Sequence, residues 1–309
     1  MRSPGGPLSV AVGYVVLCFL WSTTWIAIKV GLHGAPPLIG AGIRFLLAGG
    51  CLAVFRLGDG GSFRVPREQR RFLAITALCV FGVPYALVYV GETEVTSGLA
   101  AVLFSTLPLF SALLAHRLLP EEPLNALKAG GIALGIAGLV VVFHGGLALH
   151  ATATAILAMI GLLVAPVFSA LGQVLAKREA GGLPTALLLA WAMSVGGALL
   201  LVVGLAIGPR RLVLDGRTLG SIAYLALAGS VAGFSLLYWL LARITAVSAS
   251  LLNLALPILA LIEGWAVYGE RLNLSLAVGS AIVAAGIALA SFRSVRLTRR
   301  GAAVADTTG

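Results

Sequence analysis

The chain has 309 residues, of which 60% are hydrophobic and only 10% are charged, and its mean hydropathy is +1.05. A soluble domain carries about 25% charged residues, because its surface must face water. The composition excludes an ordinary soluble domain and predicts that most of the chain lies in lipid.

Ten apolar segments follow one another along the chain, nearly all close to the ~20 residues that a helix needs to cross a bilayer. They cover residues 8–30, 38–55, 72–90, 98–119, 126–143, 155–176, 183–207, 219–241, 249–268 and 274–292. No alternation with a period of two residues favours strands, and in lipid long apolar runs form helices because the backbone must satisfy its own hydrogen bonds. We therefore expect ten transmembrane helices, the first of them an uncleaved span.

The net charge of +10 arises mainly from basic residues at alternate segment ends. They cluster before the first segment, between the second and third (56–71), and in the tail (293–309). By the positive-inside rule both termini are cytoplasmic, the segment Glu92–Glu94 is an outer loop, and the tail is a disordered cytoplasmic extension. Only the basic loop around Arg210, Arg211 and Arg217 opposes this orientation. This distribution argues against nucleic acid as a partner.

The chain resembles itself when it is shifted by roughly half its length. At an offset of 149 residues, Tyr89 meets Tyr238, Thr96 meets Thr245, Pro108 meets Pro257 and Glu121 meets Glu270, and proline, glutamate and tyrosine are scarce in this chain. At an offset of 148, Gly49 meets Gly197. We predict a first repeat over 8–143 and a second over 155–292, each with five spans. Because five is odd, the second repeat is inverted, which is a common architecture of secondary transporters. The fold class is therefore an all-α membrane protein with ten transmembrane helices as two inverted five-helix repeats.

Two pairs of stretches carry a resemblance to a known family. The first repeat opens with LWSTTWIAIKVGL (20–32) and APPLIGAGIRFLLAG (35–49), and closes with TSGLAAVLFSTLPLFSALLAHRLLPEEPL (96–124). The second closes similarly with SASLLNLALPILALIEGWAVYGERL (248–272). These stretches resemble EamA-type domains of the drug/metabolite transporter superfamily. The resemblance implies a central cavity between the halves and export of amino acids, metabolites or toxic compounds.

Polar and aromatic residues within the segments are the candidates for substrate contact, although aromatic side chains serve equally well in packing. Residues spaced by three or four share one helix face, as Trp21 and Thr24 do in the first segment. The predicted substrate-binding residues are Trp21, Thr24, Tyr85, Tyr89, Gln173, Tyr238 and Asn253. Pro108 and Pro257, at matching positions of the two repeats, are predicted helix kinks. Gly130, Gly138, Gly279 and Gly286 are expected to serve helix packing.

Three ionisable residues lie within the segments, where charge is costly. Arg44 lies deep in the second segment and Glu263 near the outer end of the ninth, which makes both candidates for coupling transport to protons. A static pair of these residues that only joins helices is an equal alternative. Lys29, near the outer end of the first segment, is expected to extend to the membrane interface.

The sequence favours a secondary transporter in the inner membrane, with a small-molecule substrate and lipid as partners, and protons and a second copy of the chain as candidate partners. We expect no enzyme activity, cofactor or metal, because the sequence has neither an HExxH motif nor a phosphate-binding glycine loop. The alternatives are a membrane scaffold or binding protein without transport, and an intramembrane enzyme.

Overall fold

The computed structural model describes residues 7–119, 124–149, 152–178, 183–208, 211–244, 259, 265, 266, 269 and 274–291, and the regular structure of these residues is helical throughout. Their main helices are α1 (Pro7–Gly31), α2 (Pro37–Gly58), α3 (Arg67–Glu94), α4 (Ser97–Leu118), α5 (Ala126–Leu149), α6 (Ala153–Arg178), α7 (Thr185–Ile207), α8 (Gly216–Leu241) and α9 (Leu274–Ser291).

The helices α1 to α8 contain the 8 stretches that are long and apolar enough to cross a membrane, and α9 contains a shorter apolar stretch, Leu274–Leu289. The described part of the chain is therefore that of an all-α membrane protein, as predicted. The ninth predicted segment, 249–268, lies outside the described residues except at positions 259, 265 and 266, and so does the predicted tail.

Two helices widen to a π-helical turn midway. In α3 the turn spans Ala77–Gly82, and in α8 it spans Leu225–Ala232. The α3 turn directly precedes Pro84, whose ring would crowd the carbonyl of Val80 in a regular helix. The α8 turn has no proline; here the Ser230 hydroxyl donates to the carbonyl of Leu225, at 2.9 Å. Widened turns of this kind are rare and often lie at functional sites.

A break also divides α4 into Ser97–Phe104 and Leu107–Leu118. At the break, the hydroxyls of Ser105 and Thr106 donate to the carbonyls of Val102 and Leu103, at 2.7 and 2.8 Å. Pro108 is the second residue of the helical segment that follows the break. The first amides of a helix have no carbonyl partner within it, so a proline there loses no hydrogen bond. The break can therefore lie in lipid without leaving these groups unbonded.

Glycines bring two pairs of helices into backbone contact. Between α2 and α7, a Cβ built on Gly42 would lie 2.9 Å from the carbonyl oxygen of Gly197. Between α5 and α9, a Cβ on Gly138 would lie 2.9 Å from the carbonyl oxygen of Gly279. Small residues allow such approach in lipid, where larger apolar side chains gain little over the lipid tails. The other main contacts between the halves join α1 to α8, α3 to α6 and α4 to α6.

Gly130 does not fit the packing role predicted for it. It lies on the exposed side of α5, and a Cβ there would meet only Leu289, at 3.9 Å. The spacing of glycines within α5 does not show which of them contact another helix, because those contacts depend on the face of α5 that the partner helix covers.

Contacts near the helix ends show which connecting segments lie at the same end of the helices. At one end, the amide of Val213 donates to the carbonyl of Gly34, at 2.8 Å. At the other end, the indole of Trp191 donates to the carbonyl of Phe63, at 3.1 Å. The first and seventh connections between helices therefore share one end, and the segment that follows α2 lies at the other.

One prediction about the end of α3 is wrong. Glu92–Glu94 is the last turn of α3 and not a loop, and Glu92 is fully buried. Lys29 reaches this end of α3, where its ammonium group donates to the carbonyls of Glu92 and Val95, at 2.7 and 2.9 Å. A cation satisfies the carbonyls that a helix leaves unpaired at its C-terminus, and it favours the negative end of the helix dipole.

We predict that Gly138→Ala lowers the thermal stability of the purified protein, because the added Cβ would overlap the backbone of α9 at a cost of about 1–3 kcal/mol. Gly130→Ala is the matched control, since it lies in the same helix without a close neighbour. It should leave the melting temperature unchanged or slightly higher, because alanine is the better helix former. Scanning fluorimetry in detergent measures both. Equal melting temperatures for the two variants would contradict the packing role.

Candidate functional site

A cavity opens between α1, α3, α4, α6 and α8, and so is built from elements of both repeats. It measures about 70 Å³, counted as the space that the centres of water molecules can occupy. A single water needs about 10–15 Å³ on this measure, so there is room for several waters or for part of a small ligand. Aromatic side chains form much of the wall: Trp21, Trp25, Tyr85, Phe104 and Phe234.

Helix periodicity explains why α1 contributes a continuous strip of this wall. Trp21, Thr24, Trp25 and Ile28 are spaced by three and four residues and so share one face of the helix. In α6, Ser169 and Gln173 are four residues apart and face the cavity together. The cavity surface is thus set by single faces of the helices that surround it.

The aromatic rings support one another across the boundary between the repeats. Trp21 of α1 packs against Phe234 of α8 with ring centroids 5.3 Å apart, and its indole donates to the carbonyl of Gly229, at 3.2 Å. Tyr85 of α3 lies 6.4 Å from Phe234, and Trp25 lies 5.7 Å from Phe104. Offset and edge-on ring contacts stabilise each pair by about 0.5–1.5 kcal/mol beyond area burial. The wall is therefore preformed.

Gln173 is one polar group of the cavity wall that is available to a ligand. Its side chain is half-buried, and its amide has no hydrogen-bond partner within the described part of the chain. Thr24 differs, because its hydroxyl already donates to the carbonyl of Trp21, at 2.7 Å. A primary amide offers two donors and an acceptor, so Gln173 can bond several kinds of polar group.

Arg44 lies behind this wall, with only 1% of its surface exposed. Its Nε donates to the Ser230 hydroxyl at 2.9 Å, and its Nη1 donates to the Tyr89 hydroxyl at 3.3 Å. The guanidinium carbon lies 4.9 Å from the ring centroids of both Phe45 and Tyr85. These partners are neutral, and within the described residues Arg44 forms no ion pair.

The structure brings together some of the predicted site residues but not all of them. Trp21, Thr24, Tyr85 and Gln173 line the cavity, while Tyr89 and Tyr238 do not. Tyr89 is buried against Arg44, and the Tyr238 hydroxyl is buried without a partner among the described residues. The remaining predictions, Asn253, Pro257 and Glu263, fall on residues outside those described.

Several residues of the site were missed by sequence reasoning. Val80, Pro84 and Ser169 line the cavity, and Ser230 holds Arg44. A serine in an apolar run is a weak signal, since it often bonds only its own helix. Its significance here depends on which helix lies opposite. Among the described residues, no group of three His, Cys, Asp or Glu side chains could hold a metal ion.

We predict that Ser230→Ala destabilises the protein by about 1–3 kcal/mol, because it leaves a buried guanidinium donor without its acceptor. Ser280→Ala is the control: Ser280 is also buried, but among the described residues its hydroxyl bonds only the carbonyl of Leu276 in its own helix, at 2.6 Å. Thermal unfolding in detergent should show a clear loss for Ser230→Ala and little change for Ser280→Ala. Similar losses for both would mean that the Arg44 contact adds no stability.

Comparison with known proteins agrees with this architecture. The model of the EamA-like transporter family matches residues 8–144 and again 156–292. The chain is 26% identical to "Uncharacterized transporter YoaV" of Bacillus subtilis (strain 168), over 92% of this chain and 97% of that protein. It is 30% identical to "Uncharacterized inner membrane transporter YedA" of Escherichia coli (strain K12), over 83% and 82%. A crystal structure of another protein, 20% identical, shares the fold with a TM-score of 0.69 over 94% of this chain and 98% of that chain. The chain therefore belongs to the EamA-like transporter family.

Proposed function

We propose that the protein is a secondary transporter that exports a small metabolite, amino acid or drug-like compound across the inner membrane by alternating access. The observation that carries this proposal is the cavity itself, because both family repeats contribute to its wall. A binding site at the junction of two repeats can be exposed to either side when the repeats rock against each other. A scaffold without transport has no need of such a cavity.

Reciprocal contacts support a two-fold relation between the halves. An offset of 148 residues aligns Gly49 with Gly197 and Gly42 with Ala190. It also aligns Ala77 with Leu225, which are the first residues of the π-helical turns of α3 and α8. A two-fold axis would therefore turn the Gly42–Gly197 contact into an Ala190–Gly49 contact. A Cβ on Gly49 would indeed lie 2.9 Å from the carbonyl oxygen of Ala190.

The contact between α5 and α9 has the same reciprocal form. The offset of 148 residues, one less than the offset that matches Pro108 with Pro257, also aligns Gly131 with Gly279 and Gly138 with Gly286. The Gly138–Gly279 contact then has a counterpart between Gly131 and Gly286, where a Cβ on Gly286 would lie 2.6 Å from the carbonyl oxygen of Gly131. The exchange also turns the α1–α8 contact into the α3–α6 contact. This reciprocal pattern of contacts favours a two-fold relation between the repeats. Because five spans in each half give the second repeat the opposite membrane orientation, such repeats would be inverted.

We predict that both termini are cytoplasmic, with Asp215 outside and Ser62 inside. Cysteine placed at either position, in a background without Cys18, Cys51 and Cys79, provides a probe for a membrane-impermeant thiol reagent. Asp215→Cys should label in intact cells, and Ser62→Cys only after permeabilisation, because both residues are exposed in segments at opposite ends of the helices. Labelling of both positions from the same side would overturn this topology.

Transport is tested by screening overexpressing cells for resistance or metabolite export, and then by measuring the compound found in proteoliposomes. We predict that Gln173→Leu weakens affinity or changes selectivity at least several-fold, because it removes the available amide. Val164→Ala, on the exposed side of the same helix, is the matched control and should transport normally. If the screen finds no compound whose export depends on the protein, and the reconstituted protein transports none, the scaffold and enzyme alternatives are favoured.

We further propose that Glu263 couples transport to protons, with Arg44 as its partner. A carboxylate in a dry helix bundle is costly to keep charged, and such residues commonly relay protons. In the same proteoliposomes, Glu263→Gln should abolish transport driven by a proton gradient while substrate exchange continues. Gradient-driven transport with the wild-type pH dependence would assign Glu263 a static role.

A further inference from the structure

We propose that the protein binds the headgroups of anionic phospholipids at a patch of four arginines: Arg64, Arg67, Arg70 and Arg71. This arginine patch lies where the segment that follows α2 enters α3, and all four side chains are exposed. The inference concerns a surface outside the cavity wall. It goes beyond the proposed transport function and does not depend on it.

Helix geometry places three of these arginines on one side of α3. Arg67, Arg70 and Arg71 are spaced by three and four residues, so their side chains are neighbours on the helix surface. With four arginines and one glutamate, Glu68, the segment 64–71 has a net charge of +3. Positive charge is unfavourable at the N-terminus of a helix, which is the positive end of its dipole. The patch therefore does not stabilise α3, and its charge favours an anionic partner.

The face of α3 that carries the arginine patch continues into a lipid-facing surface. Ala74 and Leu78, three and seven residues after Arg71, lie along the same face and are exposed. Because α3 is long and apolar enough to cross a membrane, an exposed leucine within it meets lipid tails. One helical turn, about 5 Å, separates Arg71 from Ala74. The guanidinium groups therefore lie close to the depth at which tails give way to headgroup phosphates.

The end of α2 and its contact with α7 give the connecting segment the same depth. Val54 and Phe55 are 72% and 62% exposed near the end of α2, as expected of side chains that face lipid tails. Phe63, which directly precedes Arg64, packs on Trp191 with ring centroids 5.1 Å apart, and the indole donates to its carbonyl, at 3.1 Å. Tryptophan is enriched at the interface between membrane and water. This contact thus holds the start of the patch at the interface.

These features fit a phospholipid better than a soluble anion. The planar guanidinium of arginine can bind two oxygens of one phosphate. A phospholipid whose tails lie on Leu78 and whose phosphate lies beside Arg71 would match both parts of the exposed face. A soluble anion would contact only the charged part. Clusters of four or more basic residues next to a transmembrane helix are typical of sites for anionic lipids.

Native mass spectrometry of the full-length protein in a neutral detergent tests this proposal. Dioleoylphosphatidylglycerol and dioleoylphosphatidylcholine are added in equal amounts; they have the same tails, but only the first has a net negative charge. We expect phosphatidylglycerol to be bound in excess. Arg67→Gln/Arg70→Gln should weaken its binding by about tenfold. The control Arg211→Gln/Arg217→Gln removes two positive charges from exposed residues at the other end of the helices and should retain the preference.

The melting temperature of the wild-type protein is a second measurement, which needs no variant. Phosphatidylglycerol should raise it more than phosphatidylcholine does, because a ligand of the folded state stabilises that state. About 1 M salt should reduce the difference, since the patch is exposed. Equal binding of the two lipids by the wild-type protein overturns the proposal, and so does a preference that survives Arg67→Gln/Arg70→Gln.

Soluble anions provide the last comparison. Inorganic phosphate and polyglutamate, added to the wild-type protein in the same detergent, should raise the melting temperature less than phosphatidylglycerol does. If either stabilises the protein as much, and Arg67→Gln/Arg70→Gln removes this effect, the arginine patch is a site for a soluble anion or an acidic protein, and the proposal fails.

Discussion

A helix in lipid has no water to complete its hydrogen bonds, and this constraint explains several contacts at the irregular points of the described helices. Three of these points are met by polar side chains. Ser105 and Thr106 serve the break in α4, and Ser230 serves the wide turn of α8. At the end of α3, Lys29 binds the carbonyls that the helix leaves open. These polar side chains thus complete hydrogen bonds that the irregular backbone leaves open.

These irregularities surround the cavity. The break in α4 adjoins Phe104 and Leu107, the wide turn of α3 contains Val80, and the wide turn of α8 is followed by Phe234, all of them in the cavity wall. Through Ser230, the wide turn of α8 is also bound to Arg44 of the other repeat. A hydrogen bond that joins the two repeats therefore lies next to the cavity.

The sequence predicted those features that depend on a single helix. Apolar runs gave the spans, and spacing by three and four placed Trp21 and Thr24 on the cavity face. The scarcity of charge identified Arg44. Features that need two helices were not predictable: the same spacing rule put Tyr89 and Tyr238 in the cavity, but Tyr89 meets Arg44 of a neighbouring helix. The partners of Lys29 were not predictable for the same reason, because the carbonyls belong to α3 and the residue after it and not to its own segment.

The wide turns of α3 and α8 begin at positions 148 residues apart, one in each match to the family model. A π-helical turn holds more residues than an α-helical turn, since its hydrogen bonds span five residues instead of four. The two helices complete this turn differently: α3 has Pro84 just after it, whereas α8 has the hydroxyl of Ser230 within it. A substitution of Ser230 therefore disturbs the backbone of α8 in a way that has no equivalent in α3.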